Sequence, residues 1–124
     1  HISLFKGSHG YGDGEQRRDF IHVDDTIKVK NWFKQNPAIS GIYNVGTGAS
    51  RTFNDIAVCV LDYYKNEDPN AVMSYIDFPE GLEDQYQAFT EADMSLLKSK
   101  GYNESFTSLE KGVKLYLDWL SKNI

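Results

Sequence analysis

Between Gly10 and Asp25 the chain reads GYGDGEQRRDFIHVDD, and this stretch leaves few ways to fold. Four glycines fall between Gly7 and Gly14. A run so rich in glycine loses too much chain entropy to hold a helix or strand, so Lys6–Gly14 is expected to be a loop, with a turn at Gly12-Asp13-Gly14. Arg17 and Arg18 follow at once. Asp19-Phe20-Ile21-His22-Val23 then mixes polar residues with β-branched and aromatic ones and is expected to be a short strand. Asp24 or Asp25 suits a helix N-cap, and a helix is expected over about 26–36, where Val29, Trp32 and Phe33 make an apolar stripe before Pro37 stops it. Two guanidiniums therefore sit where a loop, a strand and a helix start meet. Their planar forks suit phosphate oxygens. A solvated basic turn is the bland alternative, since short charge runs are commonly plain surface.

The flanks extend the alternation of elements. Ile2–Phe5 and Met73–Phe78 read as strands, and so does Gly41–Val45, which ends in the turn Gly46-Thr47-Gly48. Thr52 with Asp55 forms a capping-box pattern ahead of a helix. The apolar face of that helix is Phe53, Ile56, Ala57, Val60 and Tyr64. A polar loop after Pro79 carries Tyr86. Thr90 with Asp93 is expected to cap a third helix ended by Gly101 at C′, and Thr107 with Glu110 a fourth. The stripe of the fourth is Leu109, Gly112, Val113, Tyr116, Leu117 and Leu120. The order β, loop, β, α, β, α, β, α, α is an α/β or α+β arrangement within one domain.

Charge and cysteine content narrow the function. A net charge of −5 speaks against nucleic-acid binding, which needs a basic footprint. The single cysteine, Cys59, rules out an internal disulfide and suits a reducing, cytoplasmic setting; it reads as a buried structural thiol. No apolar run reaches the roughly 18 residues of a membrane span. His1, His9 and His22 lack metal-ligand spacing, so no metal site is expected. The first residue is His1 and the chain enters an apolar run at once, which suggests a segment of a larger protein.

Gly46-Thr47-Gly48 lacks the third glycine of a dinucleotide fingerprint, because Arg51 stands there, so a tight turn is the simpler account. Asp24-Asp25 is explained by helix capping without chemistry. No tyrosine is followed by lysine four positions later. The segment thus carries no evident acid/base or redox machinery, and no catalytic residue is assigned to it. Tyr86 suits either a ligand contact or an aromatic anchor for its loop.

Arg18-Asp19-Phe20-Ile21-His22-Val23-Asp24-Asp25, followed by Gly41–Gly48, resembles the C-terminal part of extended short-chain dehydrogenase/reductases, the nucleotide-sugar epimerases and dehydratases. Leu4–Ser8, Tyr75–Pro79, Tyr86–Asp93 and Gly101-Tyr102 are similar to the ADP-L-glycero-D-manno-heptose 6-epimerase branch. The resemblance spans essentially the whole chain. It implies an α/β substrate-binding part of an NAD(P)-binding Rossmann-like fold, with the Rossmann nucleotide-binding half outside residues 1–124 and residues 41–65 adding a strand and helix to that sheet. It also implies NADP-dependent epimerisation at C6 of an ADP-activated heptose for lipopolysaccharide inner-core synthesis, with NADP bound mainly by the absent region. Phe5, Lys6, Gly7 and Ser8 match the segment lining the ADP-sugar site, Arg18 the substrate arginine and Tyr86 the tyrosine that closes over it. A cytoplasmic homo-oligomer, a pentamer, is implied as well. Another UDP- or dTDP-sugar epimerase or 4,6-dehydratase, and a non-catalytic nucleotide-sugar binding module, stay open beside this reading.

Overall fold

A computed structural model describes all residues, 1–124. Strand β1 (Ile2–Phe5) pairs in parallel with β4 (Met73–Ile76), in the register Ile2↔Met73 to Phe5↔Ile76. β4 stops two residues short of the expected Phe78 because β1 has no residue left to pair with it; the last rung is Lys6 N donating to Ile76 O at 2.9 Å. A second, two-residue ladder joins β2 (Arg17–Arg18) antiparallel to β3 (Arg51–Thr52). Arg17 also bridges Phe89 in parallel, so Arg17 N donates to Ala88 O at 2.8 Å and Thr90 N to Arg17 O at 3.1 Å.

The expected strand at Asp19–Val23 does not form. Pairing ends at Arg18 because Asp19 turns its carboxylate onto backbone instead. Asp19 accepts from Thr47 N at 2.7 Å, Gly48 N at 2.9 Å and Ala92 N at 3.1 Å, and from the Thr47 hydroxyl. Burial pushes Asp19 upward, and these hydrogen bonds outweigh it, leaving the group below the usual carboxylate range. The Thr47 and Gly48 amides of the tight turn Gly46-Thr47-Gly48 thus wrap a carboxylate of the same chain, while Gly46 N donates to the Met94 sulfur at 3.3 Å. A Cβ at Gly46 would collide with Asp19 and Ala92, so glycine alone permits this approach.

Helix α1 (Val23–Gln35) starts three residues before the expected Thr26, capped by His22 rather than an aspartate: His22 Nδ1 accepts from Asp24 N at 3.3 Å. Asp24 and Asp25 lie in its first turn, where negative charge suits the helix dipole. Asn36 closes it before Pro37, its side chain donating to Trp32 O at 2.8 Å. Gly41–Val45 forms no strand, since no strand lies beside it to share a ladder; Ile42 is 93% exposed. Helix α2 (Phe53–Tyr64) starts on the expected Thr52–Asp55 capping box. Cys59 on it is half-buried rather than fully buried, and burial pushes its thiol up.

Helix α3 (Ser95–Ser99) is short and lacks the expected Thr90–Asp93 cap. Thr90 is already committed to the Arg17 ladder, and Asp93 accepts from Ser95 N at 2.9 Å. Gly101 follows at φ +101° as the expected C′ glycine. Helix α4 (Leu109–Asn123) is capped by Ser108, one residue after the expected Thr107. Thr107 instead donates its N–H to buried Asp25 at 2.7 Å, tying the α4 entry to α1. The core is small: Val29, Met94, Leu97 and Tyr102, flanked by Trp32, Phe33, Tyr43, Ala92 and Phe106.

Candidate functional site

The end of β1, the start of α2 and the loop after β4 enclose a cavity of about 210 Å³, lined by Ser3, Leu4, Phe5, Gln16, Phe53, Ile76 and Tyr86. Phe5 is placed there because β1 ends on it. Its ring stacks on Phe78 at 4.4 Å and meets Tyr86 edge-on at 5.8 Å. Phe53 arrives as the first residue of α2, packed edge-on against Phe20. Tyr86 is delivered by the segment that pairs with Arg17 through residues 88–90.

The two arginines part company across the β2 ladder, because neighbouring strand residues point to opposite faces. Arg17 turns to Ser50, donating from Nε to Oγ at 3.2 Å and from Nη2 to the Ser50 carbonyl. Ser50 N in turn donates to Glu91 at 2.7 Å. Arg18 turns to the cavity side. Its guanidinium carbon lies 5.0 Å from the Tyr86 ring centroid and 5.7 Å from that of Phe53. It donates one hydrogen bond, to Arg17 O at 2.9 Å, and pairs with no carboxylate. Of the two arginines, Arg18 is the one with donors to offer an anion.

Lys6, Gly7 and Ser8 leave Phe5 in different directions. Lys6 reaches Asp77 at 2.9 Å, and that carboxylate raises its pKa. Gly7 N donates to Asp13 at 2.7 Å, and a Cβ on Gly7 would strike Tyr11 O. Ser8 is buried, its hydroxyl accepting from Gln16 at 3.3 Å. Phe5 and Tyr86 therefore line one cavity, Arg18 lies against the Tyr86 and Phe53 rings that wall it, Lys6 is turned to Asp77, and Gly7 and Ser8 shape the loop. The glycine loop is folded back on α2: Asn54 N donates to Gly14 O at 3.0 Å, and Asn54 Nδ2 to Asp13 O at 2.9 Å.

Sequence reasoning passed over Gln16, Phe53 and Phe78. In the sequence Phe53 belongs to a helix stripe and Phe78 to a strand end; in the structure Phe53 is a cavity wall and the Phe78 ring backs Phe5 and Tyr86. Gln16 gave no periodic signal, being one polar residue in a polar run. No group of metal-ligating side chains is assembled in the chain.

The sequence model of the NAD dependent epimerase/dehydratase family matches residues 7–46, which include the glycine loop, both arginines and α1. An ADP-L-glycero-D-manno-heptose-6-epimerase of Alkalilimnicola ehrlichii is 47% identical over 117 residues, 94% of this chain. The chain belongs to the NAD dependent epimerase/dehydratase family. A second relative in the family, of the same name and from Thiobacillus denitrificans, is 40% identical over 96% of this chain. The chain spans only 35% and 39% of the length of these two relatives.

Solved structures agree on the fold. An NAD dependent NDP-hexosamine 5,6-dehydratase, TunA, involved in tunicamycin biosynthesis, superposes with a TM-score of 0.69 at 26% identity, covering 92% of this chain and 35% of that one. A UDP-N-acetylglucosamine 4-epimerase from Methanobrevibacter ruminantium M1 superposes with a TM-score of 0.73 at 24% identity, covering 99% and 35%. The fold is thus the family's α/β fold with its parallel strand pair, as expected from the motifs. No helix is long and apolar enough to cross a membrane.

Proposed function

We propose that this chain supplies the nucleotide-sugar site of an ADP-L-glycero-D-manno-heptose 6-epimerase. The observation that carries the reading is Arg18, an arginine without a carboxylate partner beside an aromatic cavity, in a chain 47% identical to a protein of that name. Phe5 and Tyr86 offer ring surface to the adenine, and Arg18 offers paired N–H donors to the diphosphate, with Lys6 beside it at the cost of its contact with Asp77. Gly7 and Ser8 hold the lining segment in shape.

The cofactor of this reading is NADP. Within this chain the Thr47 and Gly48 amides are already taken by Asp19 and that of Gly46 by the Met94 sulfur, so no free phosphate cradle stands there, and the cofactor of this reading belongs to the region outside residues 1–124. When bound, NADP supplies hydride removal from C6 of the heptose and its return to the opposite face. The part of this chain is to bind and orient the sugar nucleotide, and the fragment by itself is inactive. Residues 41–65 complete the sheet of the longer protein. The same reading places a homo-oligomer, a pentamer, in the cytoplasm on the route to the lipopolysaccharide inner core; light scattering on the full-length gene product tests the assembly.

Calorimetric titration with ADP, and with UDP as control, tests the site. The chain is measured alone and within its full-length gene product, with and without Arg18→Ala. The expected outcome is ADP binding in the full-length protein, weaker UDP binding, and at least a tenfold loss in Arg18→Ala, the scale of a lost charge-assisted pair. A preference for UDP moves the substrate to another sugar nucleotide. Tight ADP binding by the isolated chain, unchanged in the longer protein, favours a binding module.

A further inference from the structure

Gln16 is 1% exposed, yet it lines the cavity that Phe5, Phe53 and Tyr86 enclose. Its carboxamide nitrogen donates to Lys6 O at 2.8 Å and to the Ser8 hydroxyl at 3.3 Å. A carbonyl can only accept, so the contact with Lys6 O fixes which end of the amide is nitrogen. The oxygen, Oε1, accepts from no group in the chain. Yet no fully buried side-chain polar atom lacks a partner. Oε1 is therefore not fully closed off, and it belongs to a residue that lines the cavity. It is an acceptor held in a fixed place by the two donations behind it. The backbone of Gln16 adds a third tie, accepting from Phe53 N at 3.2 Å.

A cavity of about 210 Å³ is below the roughly 300–1,000 Å³ of sites that enclose whole drug-sized ligands. It suits one ring system, with the charged remainder lying outside toward Arg18. Its walls are aromatic and aliphatic apart from Gln16 and Ser3, which favours a flat heterocycle over a sugar. We propose that Gln16 is a specificity-determining residue: its Oε1 accepts a hydrogen bond from an N–H donor on the nucleobase that enters the Phe5–Phe53–Tyr86 cavity. This rests on the nucleotide-sugar reading above. In an adenine linked through N9 that donor is the exocyclic amino group, the base's one remaining N–H donor. A base without the donor would leave Oε1 desolvated and unpaired, the situation in which polar sites discriminate most strongly.

The test is a four-way binding comparison in the full-length gene product. ADP and purine riboside 5′-diphosphate, which lacks only the amino group, are titrated into the unsubstituted protein and into Gln16→Met. The unsubstituted protein is expected to prefer ADP by about tenfold, and Gln16→Met to bind the two within about twofold. Gln16→Glu keeps an acceptor oxygen and loses the donation to Lys6 O; it is expected to bind more weakly overall while still preferring ADP. Circular dichroism reports whether each variant folds. If the unsubstituted protein binds both ligands equally, the inference falls, whatever the variants do. If the preference persists undiminished in folded Gln16→Met, another group reads the base. Should the unsubstituted protein bind neither diphosphate, the nucleotide-sugar reading itself fails.

Discussion

Asp25 shows how one carboxylate can hold distant parts of this chain together. It is 1% exposed, yet charged, because Lys28 Nζ reaches it at 2.8 Å and Thr107 N at 2.7 Å. Burial alone would raise its pKa, but these two partners outweigh burial and the group sits below the usual carboxylate range. A carboxylate depressed on folding adds stability above its unfolded pKa and loses it as pH falls through the folded one. Asp25 is therefore expected to contribute to an acid limb of unfolding that begins near about pH 4 and continues downward. In Asp25→Asn that limb should flatten and neutral-pH stability should drop by about 1–3 kcal/mol, read by urea unfolding at several pH values. An unchanged acid limb in the variant would mean that Asp25 is not the titrating group. Asp19 follows the same logic with four donors, so the RDF segment is organised by a carboxylate before any ligand is considered.

At the scale of elements, α2 is the piece on which the site leans. Its first residue, Phe53, is a cavity wall, and its second, Asn54, pins the glycine loop. The helix starts where it does because Thr52 Oγ1 accepts from Asp55 N while Asp55 accepts from Thr52 N, both at 3.0 Å. Arg51 adds a clamp, donating to Asp55 and to Glu110 at 2.9 Å each, which ties α2 to the first turn of α4. The exposed part of that clamp adds little by itself. The cap matters more, since Thr52 is buried and its loss orphans a backbone donor. Thr52→Ala is expected to cost about 1 kcal/mol, seen as a lower urea midpoint at unchanged slope. Because Phe53 follows the cap directly, the same variant should also weaken ADP binding.

Taken whole, the chain buries little of itself: 13 of its 124 residues are buried, few for a domain that must stand alone. Ile42 and Val45 are exposed on a segment with strand composition and no ladder. A second apolar feature is a groove of about 490 Å³ lined by Phe20–Val23, Ile56, Val60 and one face of α4. Unpaired strand edges and uncovered apolar surface favour self-association. We therefore expect the isolated chain to associate at micromolar concentration. The amides of Gly41–Val45 should exchange freely in it and become protected in the full-length gene product. Hydrogen exchange measured on both forms checks this. Equal exchange in the two would remove residues 41–65 from the sheet of the longer protein.

Residue order alone dictates the local features: the loop at the four glycines, β1, the Thr52–Asp55 cap, the stop at Pro37, the C′ glycine at 101 and the stripe of α4. These follow from backbone freedom, capping groups and helical period, which involve neighbours within about four residues. The family was legible too, because the RDF and GTG motifs place special residues at set spacings. The remaining features depend on contacts between residues far apart in the chain. Asp19–Val23 looked like a strand, but a strand needs a partner, and Asp19 found backbone donors at Thr47, Gly48 and Ala92 instead. The caps of α1, α3 and α4 moved because Asp25, Thr90 and Thr107 were engaged by residues far along the chain. Arg17 and Arg18 are adjacent and chemically alike, and nothing local tells them apart. The ladder with Arg51–Thr52 does so, sending one guanidinium to Ser50 and the other to the aromatic cavity.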